Sequence, residues 1–216
     1  MARFYYKGSR STAASPNSDL HGFGDEIRKE LAGRIPRERL KVLDVGTGFG
    51  MNAAFLAGHL PRGSLVWTVD PSKEVLEEVE ADLSKRGLRG LKFVEATADS
   101  LPFEDGSFDA VVSVMVLHHV EELGPALKEM WRVLKTGGNL ILVDYKPEAS
   151  RELEFKARHD AEDFFSPAAV AEEMSALGIE PEAGDFHVWY VVSAVKRPSA
   201  LRRPGRAGHA RRRAVR

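Results

Sequence analysis

A glycine-rich loop between a short apolar run and a helix-prone segment most constrains how this chain folds. The stretch "KVLDVGTGFGMNAAFLA" occupies Lys41 to Ala57 and contains Gly46, Gly48 and Gly50. Glycine tolerates left-handed backbone angles and lets a ligand come close to the main chain. A strand, a glycine turn and a helix in this order predict the first unit of an α/β fold, with a ligand beside the turn.

Short, almost continuously apolar runs recur along the chain and predict the strands of a sheet. These runs lie at 41–45, 65–69, 91–95, 110–114 and 140–144. Such strands are typical of parallel sheets that helices cover on both faces. Two further runs, 182–187 and 189–195, leave no room for a helix between them and must pair antiparallel. The sequence therefore predicts a doubly wound α/β domain with a mostly parallel sheet and an antiparallel last strand.

Helical patterns lie between these runs. An amphipathic helix is predicted within 20–35, before Pro36. The other predicted helices begin after Ser72, extend from Leu123 to Leu134 ahead of a Gly137-Gly138 stop, and run from Ser166-Pro167 to Gly178. Their polar first residues are typical N-caps, and the glycines are typical helix ends.

The spacing of the glycines excludes the two familiar phosphate loops. A dinucleotide loop, G-x-G-x-x-G, needs glycine where this chain has Met51, and a triphosphate loop needs a lysine that is absent. The remaining pattern is D-x-G-x-G-x-G, from Asp44 to Gly50. A carboxylate at Asp44 would repel a phosphate, but it would attract an amino group or a sulfonium.

Two more acidic residues indicate the rest of the ligand. Asp70 ends the second predicted strand in "WTVDPS", where a carboxylate can accept hydrogen bonds from both hydroxyls of an unphosphorylated ribose. Asp99 follows the third strand and could accept a hydrogen bond from the exocyclic amine of an adenine. A cationic amino acid end, a bare ribose and an adenine together indicate S-adenosylmethionine.

Four stretches, in this order, resemble the class I S-adenosylmethionine-dependent methyltransferases, especially the type 11 or ubiquinone-biosynthesis-like group. They are "VLDVGTGFG", "VDPS", "EATADSLPFEDGSFDAVVSVMVLHHV" and "EMWRVLKTGGNLILVD". The resemblance covers about two thirds of the chain if the later strands are counted. It implies a Rossmann-like methyltransferase fold with seven strands, of which the last is antiparallel.

The resemblance also implies a set of residues that bind the cofactor. At its methionine end these are Asp44, Gly46, Thr47 and Gly48, together with the backbone of Val114 and Met115 after strand four. At its nucleoside end they are Asp70 on the ribose, Pro71 and Ala98 beside the adenine, and Asp99 on the adenine amine.

Three residues are candidates for a catalytic base, which assists methyl transfer when the acceptor is a hydroxyl or an acidic carbon. His118 and His119 come just after the fourth strand, near the expected position of the methyl group, and Tyr145 follows the fifth strand. Histidine changes charge near neutral pH and suits this role. For the two histidines the alternative is that one caps or packs against the following helix while the other faces solvent.

Several absences narrow the function. The chain has no cysteine, which excludes disulfides, thiolate metal sites and cysteine nucleophiles such as those of cytosine C5 methylation. It reads "SVMVLHHV" after the fourth strand, where enzymes of this class that methylate exocyclic amines often carry N/D/S-P-P-Y/F. The acidic loop "PFEDGSFD" is expected to be a solvated turn, so no metal site is predicted.

No apolar run approaches the ~20 residues of a membrane span, and a cytoplasmic location is expected.

Charge divides the chain unevenly. Residues 197–216 contain eight arginines and no acid, and the other 23 basic residues face 32 acidic ones, a net charge of −9. The sequence predicts three parts: a helical lid at 1–36, an S-adenosylmethionine-binding domain at 37–197, and a basic, disordered tail at 198–216. In the lid, Tyr5 and Tyr6 could close over the site.

These observations favour a methyltransferase acting on a small-molecule acceptor. The arginine-rich tail leaves open an RNA or protein substrate held by charge. A non-catalytic S-adenosylmethionine-binding protein is a further alternative, whereas a nicotinamide dehydrogenase is disfavoured by the glycine spacing. The sequence predicts neither the acceptor nor the oligomeric state.

Overall fold

The apolar runs form seven strands in a computed structural model, which describes residues 24–149 and 164–198. The strands are β1 (Lys41–Val45), β2 (Leu65–Asp70), β3 (Leu91–Glu95), β4 (Phe108–Val114), β5 (Leu134–Tyr145), β6 (Glu182–Asp185) and β7 (Trp189–Val195). The α-helices of the described residues are α1 (Gly24–Arg34), α2 (Met51–His59), α3 (Lys73–Lys85), α4 (Leu123–Val133) and α5 (Pro167–Ala176). A short 3₁₀ turn, Leu117–His119, follows β4.

The seven strands form one sheet in the order β3-β2-β1-β4-β5-β7-β6. β1 to β5 run parallel, whereas β7 pairs antiparallel with both β5 and β6. The predicted doubly wound, mostly parallel sheet with an antiparallel last strand is therefore confirmed. The strand order reverses between β1 and β4, and ligands of such sheets bind beyond the carboxyl ends of the strands at this point.

Helices cover both faces of the sheet. On one face α1 and α2 bury Ile27, Leu31 and Leu56 against alternate residues of the central strands. On the other face α4 and α5 bury apolar residues, among them Met130 and Met174, against the remaining residues of the same strands. Alternate positions of a strand point to opposite faces, and each face here meets an apolar layer. This explains why the central strands read as continuous apolar runs.

The helix before β5 ends differently from its prediction. The helix expected to reach Leu134 stops at Val133, and β5 begins at Leu134 without a glycine turn between them. The reason is pairing: Leu134 lies opposite Phe108 of β4. The Gly137 amide donates to the Lys196 carbonyl at 2.6 Å, so the segment with the two glycines is bound to the end of β7.

The other helix signals have the expected effect where the structure describes them. The Ser72 hydroxyl accepts the Val75 amide at the start of α3, and the Ser166 hydroxyl accepts the Ala169 amide at the start of α5. No helix within 24–149 and 164–198 is both long and apolar enough to cross a membrane. Most of the predicted lid, with Tyr5 and Tyr6, and the basic tail from 199 onward lie outside the described residues.

Candidate functional site

The glycine loop folds tightly over the end of β2. The amides of Gly46 and Thr47 both donate to the Val69 carbonyl at 2.9 Å. Gly46 has a φ of 91°, and a Cβ at this position would lie 2.2 Å from a methyl carbon of Val116. Gly48 has a φ of 47° and nothing within 4 Å of the place of a Cβ. The loop is thus closely packed at its start and open at Gly48.

Asp44 lies under this loop with a carboxyl group that is only half satisfied. Thr68 donates to Asp44 Oδ2 at 2.9 Å, and the Thr68 and Thr47 hydroxyls are 2.7 Å apart. Asp44 is fully buried, and its Oδ1 has no hydrogen-bond partner among the described residues. Burial raises the pKa of Asp44 to about 7, against the effect of the Thr68 hydrogen bond and with a smaller contribution from Asp70. Such a group gains free energy from a nearby cation.

Asp70 ends β2 beside the open part of the loop. Its Oδ2 accepts the Gly48 amide at 3.1 Å, and its Oδ1 accepts the Ser72 amide at 3.0 Å. The side chain is half-buried, as is that of Pro71. Each carboxylate oxygen can accept a second hydrogen bond, so Asp70 can bind a diol as well as hold the loop.

A four-residue turn after β3 carries Ala98 and Asp99. The Ser100 amide donates to the Thr97 carbonyl at 3.2 Å and closes the turn. The Ala96 amide donates to the Asp70 carbonyl at 3.2 Å, which fixes the start of the turn to the end of β2. Ala98 is half-buried and Asp99 is exposed. The structure therefore brings the two predicted nucleoside-binding segments together.

The end of β4 is strained. Met115 has a φ of 57°, the one positive φ of a non-glycine residue in the described part of the chain. Its amide donates to the Val143 carbonyl at 2.8 Å, and Val114 before it is buried. Residues held in this region cost about 1–3 kcal/mol and cluster at ligand sites. Val116, next in the chain, packs against the Gly46 loop, so the β4 end adjoins the glycine loop.

Together these groups fit a ligand with a cationic end and a neutral ribose. The buried, unpartnered oxygen of Asp44 suits a nearby cation, the space above Gly48 admits a ligand, and Asp70 offers carboxylate oxygens rather than phosphate-binding amides. The structure describes no group of three or more His, Asp or Glu residues arranged to hold a metal ion.

A histidine–carboxylate pair lies at the same edge of the sheet. His118 Nδ1 is 2.7 Å from Asp144 Oδ1, and their side chains are 5% and 2% exposed. The backbone amide of His118 also donates to Asp144 Oδ2 at 3.2 Å, and the Tyr145 amide donates to Oδ1 at 2.7 Å. Because a carboxylate only accepts hydrogen bonds, Nδ1 carries the proton. This leaves Nε2 as the basic nitrogen in the neutral ring.

The other two candidate bases are placed differently. His119 is exposed, and its ring centroid lies 4.1 Å from that of His118. Tyr145 is buried in the apolar layer under α1 and α2, on the sheet face opposite to Asp144. The ring of Phe164 lies 4.7 Å from that of His118. His118 is thus the candidate that the structure pairs with a carboxylate.

Sequence reasoning missed Asp144. It ends the predicted fifth strand in "VDYKP", and a carboxylate at the carboxyl end of a central strand by itself indicates a functional residue. The pairing with His118, 26 residues away, depends on β4 and β5 being neighbours in the sheet.

Comparison with known proteins finds methyltransferases that are similar to this chain. Residues 43–142 match the family described as a methyltransferase domain. The uncharacterized methyltransferase YcgJ of Bacillus subtilis is 35% identical over 113 residues, which cover 52% of this chain and 44% of that protein. The ubiquinone/menaquinone biosynthesis C-methyltransferase UbiE of Sinorhizobium fredii is 37% identical over 110 residues, covering 50% of this chain and 43% of that protein.

A solved structure agrees in fold. A SAM-dependent methyltransferase from Aquifex aeolicus superposes with a TM-score of 0.68 at 22% identity, covering 77% of this chain and 88% of that one. The matched part of this chain spans less than half the length of the two curated relatives.

Proposed function

We propose that this chain, which is similar to methyltransferases in sequence and shares the fold of a SAM-dependent methyltransferase, transfers the methyl group of S-adenosylmethionine to a small-molecule acceptor with His118 as general base. The observation that carries the proposal is the 2.7 Å contact between His118 Nδ1 and Asp144 Oδ1 at the carboxyl ends of the central strands. Burying such a pair costs desolvation free energy, and titratable groups buried in this way cluster at functional sites.

Asp144 is the residue that orients the base. Three N–H groups converge on its carboxylate, from the His118 ring, the His118 backbone and the Tyr145 backbone. They fix the carboxylate, and the carboxylate fixes the imidazole tautomer. Nε2 can then accept the proton that leaves the acceptor as the new bond to the methyl carbon forms, and Asp144 stabilises the resulting imidazolium.

The cofactor-binding residues are assigned by the same proposal. Asp44 faces the cationic methionine end, the loop at Gly48 gives it space, Asp70 accepts the ribose hydroxyls, and Asp99 accepts the adenine amine. Gly46, Thr47, Pro71, Ala98, Val114 and Met115 complete this set. Bound S-adenosylmethionine supplies an electrophilic methyl group on a sulfonium, so the protein has to align the reactants and exclude water.

The acceptor class follows from the need for a base. A base is useful when the acceptor loses a proton, as a hydroxyl or an acidic carbon does. The name of the UbiE relative describes C-methylation in quinone biosynthesis, and a hydroxylated ring of that type has an acidic hydroxyl whose deprotonation makes the neighbouring ring carbon nucleophilic. We therefore place a quinol-like ring first among the acceptors, methylated at carbon or oxygen.

The experiment that tests the proposal follows the methyl group. The full chain is incubated with methyl-labelled S-adenosylmethionine and a cell extract, which is then separated into lipid, small-molecule, RNA and protein fractions. Label in the lipid or small-molecule fraction is expected. Label in RNA or protein would contradict the acceptor class and support the alternative in which the arginine-rich tail binds substrate. Cofactor binding without transfer to any fraction would favour a non-catalytic binding protein.

A further inference from the structure

Arg132, near the end of α4, uses every donor of its guanidinium group within a small region. Nε and Nη2 donate to the two carboxylate oxygens of Glu129 at 2.7 Å each. Nη1 donates to the Phe103 carbonyl at 2.7 Å and to Asp105 at 2.9 Å. Nη2 also donates to the Leu101 carbonyl at 3.0 Å. Lysine cannot reproduce this planar five-donor attachment.

Glu129 binds the same loop from its other side. Its Oε2 accepts the Leu101 amide at 3.1 Å, so both backbone polar groups of Leu101 are held by α4. The hydrogen bonds from Arg132 keep the pKa of Glu129 below its usual range, and the carboxylate stays charged. We call Glu129 and Arg132 the α4 clamp. The Gly106 amide donates to the Arg132 carbonyl at 3.0 Å, which attaches the end of the loop as well.

The clamp holds the turn that carries Asp99. Leu101 directly follows Ser100, the residue that closes the turn onto Thr97. At the other end the Ala96 amide is bound to the Asp70 carbonyl. The turn is therefore anchored to β2 on one side and to the clamp on the other. Asp99 is exposed, and these two anchors hold the backbone from which its carboxylate projects.

We propose that the α4 clamp positions Asp99 and thereby sets the selectivity of the cofactor site for an amino-substituted purine. The inference rests on the proposed function, because it takes Asp99 as the acceptor for the adenine amine. Selectivity by a single hydrogen bond requires its acceptor to be held within about 0.5 Å. Glu129 and Arg132 are positioning residues, since they act on the adenine only through the turn that carries Asp99.

The test compares two ligands by calorimetry on the full chain. One is S-adenosylhomocysteine, and the other is its analogue with hydrogen in place of the adenine amine. Wild type is expected to prefer the amine by roughly 10-fold or more, the effect of one hydrogen bond to a carboxylate. Arg132→Lys keeps the charge and should reduce this preference to about 2-fold, while its affinity for the deaminated analogue stays near that of wild type.

Matched variants distinguish an effect on the position of Asp99 from a non-specific disturbance of the structure. Arg86→Lys alters an exposed arginine that pairs with Asp82 on α3 and should keep the wild-type preference. In an Asp99→Ala background, Arg132→Lys should leave the preference unchanged, because the two residues act on one contact. If Arg132→Lys does not fold, Glu129→Gln carries the same test with the same expected loss.

The outcomes distinguish the two proposals. A folded Arg132→Lys or Glu129→Gln variant that keeps the full preference would overturn the role of the clamp. Equal weakening of both ligands would also overturn it, because that result indicates a purely structural role. Failure of wild type to bind S-adenosylhomocysteine at all would instead overturn the proposed function.

Discussion

Thr68 donates a hydrogen bond to one carboxylate oxygen of Asp44 at 2.9 Å, while the other oxygen of Asp44 is buried without a partner among the described residues. The site therefore contains a half-satisfied carboxyl group beneath its glycine loop. A half-satisfied buried group costs free energy until something pairs with it. We infer that Asp44 destabilises the free protein in favour of a cationic ligand.

The first prediction is a pH dependence of stability. Burial raises the pKa of Asp44 in the folded state to about 7 from its ordinary value of 3.8, so between these pH values the folded state binds more protons than the unfolded state. Its free energy of unfolding therefore falls as pH rises from about 4 to 7 and is constant above that range as far as Asp44 is concerned. Asp44→Asn should remove this dependence, and the free energy of unfolding of this variant relative to wild type should rise by about 2.5 kcal/mol between pH 5 and pH 8.

Denaturant unfolding of both proteins at the two pH values measures this difference. The same variant should bind S-adenosylhomocysteine more weakly at pH 8, because the carboxylate no longer faces the cationic end. A stability difference that does not change with pH would show that Asp44 is not the group that titrates.

The second prediction assigns different roles to two glycines of the loop, fold stability to Gly46 and ligand binding to Gly48. Gly46→Ala should destabilise the fold by about 2–4 kcal/mol, from overlap with Val116 and from its positive φ. Adding Val116→Ala should restore part of that loss. Gly48→Ala meets no atom within 4 Å and should cost only about 1 kcal/mol. It should nevertheless lower the affinity for S-adenosylhomocysteine by about 10-fold or more. Thermal unfolding and calorimetry test the pair, and unchanged affinity in Gly48→Ala would place the ligand elsewhere.

The third prediction concerns Asp70. Asp70→Asn should weaken S-adenosylhomocysteine binding by about 1.5–3 kcal/mol, the scale of hydrogen bonds to a charged group. Asp82→Asn is the control, because Asp82 is exposed and bonds only to Arg86 among the partners that the structure describes. The penalty for a 2′-deoxy form of the ligand should shrink in Asp70→Asn and stay in the control. An equal penalty in both variants would mean that the ribose lies away from Asp70.

Most of the fold could be predicted because its signals are local. Ser72 and Ser166 cap the helices that follow them, and the continuous apolar runs reflect strands covered on both faces. The boundary at Leu134 could not be predicted, because it depends on pairing with Phe108 in another strand. At Leu134 the contacts within the sheet outweigh the local preference for a helix.

The candidate site divides in the same way. Asp44, Asp70 and Asp99 stand out by their spacing from strand ends, and their roles in binding stay predictions. Asp144 and the α4 clamp were not found, because each acts through a contact that spans about 26 to 31 residues of chain. The sequence contains the residues of these contacts but not the distances between them.

The measurement that tests the account most directly is the rate of labelled methyl transfer at saturating cofactor, compared between wild type and Asp144→Asn. The acceptor is the fraction that wild type labels. Loss of the carboxylate should leave His118 without a fixed tautomer, so the rate should fall by about 10²–10⁴-fold. The affinity for S-adenosylhomocysteine should stay within about 2-fold. His119→Asn, at the exposed neighbouring histidine, should lose only a few-fold. An Asp144→Asn variant that folds, binds the cofactor and transfers methyl groups at the wild-type rate would contradict the account.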